Sequence, residues 1–81
     1  MAQEQVRYTI LLDPDPEDGT YTVTVPALPG IVTQGSSIEE AIAMAKDAIE
    51  LHLEGLVAHG EPIPREHYPP QVLTVPVRVA S

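Results

Sequence analysis

Residues 21–42 read YTVTVPALPGIVTQGSSIEEAI, and the break inside that stretch constrains the fold more than any other feature. Residues 20–25 alternate, with Tyr21, Val23 and Val25 on one face and Thr22 and Thr24 on the other, which predicts a strand. Pro26 and Pro29 then remove two ladder donors, so pairing stops there. Gly30 offers the positive φ that a sharp bend uses. A short strand over residues 31–34 follows at once, ended by Gly35. Two strands separated by such a bend must lie side by side.

The flanks extend this pattern. Residues 6–12 form a first strand, with Val6, Tyr8, Ile10 and Leu12 on one face. The connection DPDPEDG, residues 13–19, is turn chemistry, with Pro setting φ and Asp-Gly favouring reversal. The first two strands are therefore expected to be an antiparallel hairpin. After the third, Ser37 and Glu40 have capping-box spacing, and Glu39 and Glu40 suit the positive end of a helix dipole. Helical spacing of Ile38, Ala41, Ile42, Ala45, Ala48, Ile49, His52, Leu53, Leu56 and Val57 predicts a helix over 38–59, with Gly60 at C′. Residues 72–79 predict a last strand, with Leu73, Val75, Val77 and Val79 on one face and Pro76 marking it as an edge. The order is β-β-β-α-β. One helix covers one face of the sheet, so the expected class is α+β, a two-layer sandwich with a mainly antiparallel sheet. The uncovered face would carry Arg7, Thr9, Leu11, Thr22, Thr24, Thr74 and Arg78.

Composition sets limits on function. The chain has 81 residues and neither Phe nor Trp, so its core is thin and self-association would support it. It has no Cys, hence no disulfides and no thiolate chemistry. Its net charge of −8, with only four Lys and Arg, argues against direct nucleic-acid binding and favours a basic partner. No run is long and apolar enough for a membrane span, and the N-terminus lacks the apolar core of a signal peptide. The expected location is cytoplasmic. The absence of Asn and Cys, with nine Pro, fits a thermophilic source.

Candidate chemistry is sparse. Asp13, Asp15, Glu17 and Asp18 cluster in the hairpin turn. Hard cations favour carboxylates, but the segment lacks the EF-hand pattern and reads better as a solvated loop. The three histidines, His52, His59 and His67, have no zinc-site spacing; His52 is expected to border the core and His59 to sit at the helix C-terminus. Ser36 and Ser37 stand in a helix start, not a nucleophile elbow. The glycines of LPGIVTQG lack P-loop spacing. No catalytic, metal or cofactor set is expected.

The order of short motifs, however, resembles the HicB-type antitoxin domain. The family's Pro-x-x-Pro-Gly turn corresponds to Pro26, Pro29 and Gly30, and its Thr-x-Gly step to Thr33 and Gly35. Its helix start corresponds to Ser37, Glu40 and Ala41, and its closing Gly-x-x-Ile-Pro to Gly60, Ile63 and Pro64. The resemblance spans residues 6–79. It implies a partial ribonuclease-H-like fold without nuclease carboxylates, since residues 6–12 carry no acid. It also implies a non-catalytic protein that binds and neutralises a small basic mRNA-cleaving toxin of the HicA type. Many family members append a DNA-binding domain; the sequence ends at Ser81 after the last predicted strand, so a minimal form without that domain is expected.

Three functions therefore compete. The first is an antitoxin acting by stoichiometric inhibition, with Asp13, Asp15, Glu17 and Asp18 facing a basic toxin. The second is an orphan structural or regulatory module that self-associates, as a dimer or higher oligomer. The third, and the weakest on these residues, is a metal-dependent nuclease.

Overall fold

In a computed structural model, residues 5–80 are described. Three strands, β1 (Leu11–Pro14), β2 (Tyr21–Thr24) and β3 (Val32–Gly35), precede one helix, α1 (Ile38–Ala58). The sheet is antiparallel in the order β1-β2-β3. The protein is α+β, as its pattern predicts.

The hairpin forms where expected. Leu12 pairs with Val23, and Pro14 with Tyr21. The Asp15 N–H donates to the Thr20 carbonyl at 2.8 Å, and Gly19, at φ 72°, turns the chain. That positive φ is the conformation for which glycine is suited. β1 begins at Leu11 rather than Val6, because its partner strand runs out: Leu11 pairs with Thr24, and Pro26 soon follows. The bend at residues 26–30 is two successive turns, closed by Leu28 N–H to Val25 O and Ile31 N–H to Leu28 O. Gly30 does not use a positive φ there; two ordinary turns, with Leu28 buried between them, make the reversal without one.

Helix α1 is about 32 Å long and is closed at both ends. The Ser37 side chain accepts from Glu40 N–H at 3.1 Å. Glu40 does not reach back to Ser37 as in a simple capping box; its carboxylate takes the Ser36 N–H and hydroxyl instead. At the other end Gly60 has φ 69°, Glu61 N–H bonds Leu56 O and Gly60 N–H bonds Val57 O, a Schellman motif. The helix runs unbroken through Gly55.

The core is small, as a chain without Phe or Trp requires. Val23, Ala41 and Ala45 form one buried cluster, flanked by Ile10, Leu12 and Tyr21. Val25, Leu28 and Ile31 form a second, with Tyr8, Ala48 and Ile49 against it. Gly35 decides how close the layers come. A Cβ there would lie 2.6 Å from Ala41 Cα and closer still to Ala41 N, so any side chain would push the helix off the sheet.

The helix packs mainly over β3 and β2. The predicted fourth strand is not part of the sheet. Residues 71–80 are exposed and have no ladder partner among the described residues. Their alternation calls for burial, but they pair with neither free edge of the sheet, at β1 or at β3. The described chain accordingly spans 60 × 29 × 21 Å with a radius of gyration of 16.0 Å, where a compact chain of this length would have about 12 Å. His52 is exposed rather than bordering the core, because the helix turns its small residues, Ala41 and Ala45, toward the sheet.

Candidate partner-binding surface

Three surface features are built by this framework. The first is the acidic hairpin turn. Asp13, Asp15, Glu17 and Asp18 are all exposed and close together in sequence. Two of them have structural duties. Asp15 Oδ1 accepts from Glu17 N–H at 2.9 Å, and Asp18 Oδ1 accepts from the Thr20 N–H and hydroxyl at 3.0 and 2.6 Å. Thr20 Oγ1 in turn accepts from Gln34 Nε2, tying the turn to β3. The Thr20 hydroxyl, then its N–H, hold the Asp18 carboxyl below the usual carboxylate range. Asp13 and Glu17 carry none of these side-chain bonds, so their charges face outward. Among the described residues no group of three or more His, Cys, Asp or Glu could hold a metal ion.

The second feature was not foreseen from sequence. An open groove lies between residues 5–10 and the flank of α1, with Tyr8, Ile10, Ile42, Ile49, Leu53 and Val57 among its lining. It exists because the helix is displaced toward β3, leaving the inner face of the chain before β1 partly uncovered. Helical periodicity marks these residues as one stripe but cannot say how far that stripe outruns the sheet.

The third is the strap of residues 62–70. The Tyr8 hydroxyl donates to the Pro64 carbonyl. The Glu66 carboxylate accepts from Thr9 N–H at 2.8 Å and from the Thr9 hydroxyl at 2.7 Å. Burial pushes the Tyr8 phenol above its usual value, while the Arg65 charge pulls it down. Glu66 satisfies a backbone donor next to the point where β2 gives way to Pro26. A single acid in a Pro-rich strap carries no sequence signal of that duty. His59 Nδ1 lies 2.7 Å from Gly55 O at the end of the helix, and Ser37 is accounted for by its cap.

With this geometry in hand, known proteins can be compared. Residues 8–74 match the model of the family described as HicB-like antitoxin of the bacterial toxin-antitoxin system. The chain belongs to the HicB-like antitoxin family. A UPF0150 protein of Thermoplasma acidophilum is 47% identical over 62 residues, covering 76% of this chain and 88% of the relative. Antitoxin HicB of Escherichia coli K12 is 34% identical over 83 aligned positions, covering 94% of this chain and 56% of the relative. Antitoxin HicB 1 of Photorhabdus laumondii is 38% identical, covering 96% and 50%. The chain thus spans about half the length of those named antitoxins. No solved structure matches it. Relatives in Thermoplasma acidophilum and Archaeoglobus fulgidus are consistent with the thermophilic cast of the composition. No helix among the described residues is long and apolar enough to cross a membrane.

Proposed function

We infer that this HicB-like chain binds and neutralises a small basic mRNA-cleaving toxin of the HicA type by occupying the surface that RNA would use, without catalysis of its own. The observation that carries this reading is the family match over residues 8–74, and the net charge of −8 supports a basic partner. The work is done in the cytoplasm, where the mRNA is. Asp13 and Glu17 are the contact charges, because Asp15 and Asp18 spend an oxygen inside the turn.

The test is a titration of labelled-RNA cleavage by a small basic protein encoded beside this chain. Cleavage should stop near equal amounts of the two proteins. The Asp13→Lys, Glu17→Lys double variant keeps the turn's hydrogen bonds and should bind about tenfold more weakly, with a flatter salt dependence. Cleavage that continues in excess antitoxin removes the reading; unchanged affinity of the variant removes only the loop. The alternative, an orphan module that self-associates, is favoured by the exposed apolar segment at residues 72–79. RNA cleavage by this chain alone with Mg²⁺ or Mn²⁺ would instead establish the nuclease reading.

A further inference from the structure

Residues 72–79 carry five large aliphatic side chains, all between 73% and 87% exposed. Eight residues in extended form span about 26 Å, close to the reach of the chain from Val6 to Pro14. The segment alternates, with Leu73, Val75, Val77 and Val79 on one face. The groove beside α1 is lined mainly by apolar side chains, with Arg7, Lys46, Glu50 and Glu54 also on it, and the chain that leads into β1 forms one wall. Among the described residues β1 also has one free edge, since β2 is the one strand it pairs with. The Asp15–Thr20 bond sets the alternation of the ladder. By that alternation the N–H groups of Leu11 and Asp13 face β2, while those of Ile10 and Leu12 face the free edge. Pro14 has no donor, so the open ladder ends there.

The path of the chain decides whose segment fills whose groove. Glu66 is fastened to Thr9, two residues before β1. Residues 65–70 then lie against Pro26 and Ala27, past the end of β2, which is the side opposite the free edge of β1. Pro69 and Pro70 stiffen the next step, since each fixes φ and pushes its predecessor to extended backbone. Behind that strap and pair of prolines the segment does not return to its own β1, and residues 71–80 have no ladder partner among the described residues. A second copy has no such obstacle. Each copy also carries both segment and groove, so one reciprocal exchange removes two exposed apolar surfaces from each chain. A foreign partner in the groove would leave the segment in water. Pro76, lacking a donor, suits a strand that becomes the new edge.

We propose that two copies of this chain exchange residues 72–79, each segment adding as a strand to the free edge of the other copy's β1 and laying its Leu73, Val75, Val77 and Val79 face into the groove beside α1. The dimer is a two-fold, strand-exchanged one, and it does not depend on toxin binding.

Two measurements on the full chain test it. Light scattering across a dilution series should give twice 8.7 kDa, and the Val75→Asp, Val77→Asp double variant should shift this to a single-chain mass with its helical circular dichroism retained. A mixture of isotope-labelled and unlabelled chains, refolded together, should show inter-chain nuclear Overhauser contacts from Leu73 and Val77 to Tyr8, Ile49 or Leu53. A monomer at every concentration overturns the proposal. So does a dimer whose segment contacts are all within one chain, and so does a double variant that still dimerises. A segment that becomes ordered only on adding a basic partner assigns the groove to that partner and overturns it as well.

Discussion

Residues 21–25 and residues 72–79 are both alternating runs rich in Val, yet Val23 and Val25 are 0% and 1% exposed while Val77 and Val79 are 76% and 87% exposed. The first run has a strand on each side and a helix above it. The second has none of these. Alternation states that a strand has a face to bury; it does not state that the burying partner lies in the same chain. The first run is joined to its partners by the short turn at residues 15–20 and the bend at residues 26–30. The second follows a proline-rich strap that is bolted to the wrong side of β1.

The contrast can be broken most severely at Gly35. Gly35→Ala drives a Cβ into the helix backbone and should cost about 3 kcal/mol in urea unfolding; an unchanged midpoint would mean the layers are not held that close. Next comes a matched pair of truncations. Val23→Ala should cost about 2 kcal/mol at every protein concentration. Val75→Ala should cost little at low concentration and reveal itself only where chains associate. Equal costs at all concentrations would erase the distinction between the two runs.

Glu66→Gln weakens a charged acceptor shared by two Thr9 donors and should cost about 1.5 kcal/mol. It also loosens the strap, so hydrogen exchange at Thr9 should rise more than at Val23. Ser37→Ala removes the helix cap and should cost about 1 kcal/mol, read by the same unfolding experiment. The smallest effect belongs to Asp18, which is fully exposed. Its folded pKa is depressed, so its contribution is present above the usual carboxylate value and is lost as pH falls through the folded one. A carboxyl-carbon titration should place its midpoint below 3.8, and Thr20→Ala should bring it back up.

Much of this was readable in one dimension. The second strand, the bend, the third strand and both ends of the helix lie within one residue or so of where turn chemistry and capping place them, whereas the first strand covers 11–14 instead of 6–12 and takes in two residues expected in the turn. Those signals are local: a Pro without a donor, a Ser accepting from the third residue on, a Gly at positive φ. The acidic turn is equally legible, though sequence could not tell Asp13 and Glu17 from Asp15 and Asp18, because the division depends on which oxygens the turn consumes. The family, too, is carried by local motifs in order, so it could be recognised before any coordinates.

The rest is non-local. Gly35 reads as a strand terminator, and only the approach of Ala41 makes it the point where two layers touch. The groove depends on a lateral offset of α1 that periodicity does not encode. The fate of residues 72–79 depends on the direction in which Glu66 and two prolines send the chain. A repeat of two or 3.6 residues names the face to be covered, whereas the covering surface is set by relations among residues tens of positions apart, and those exist only once the chain has folded.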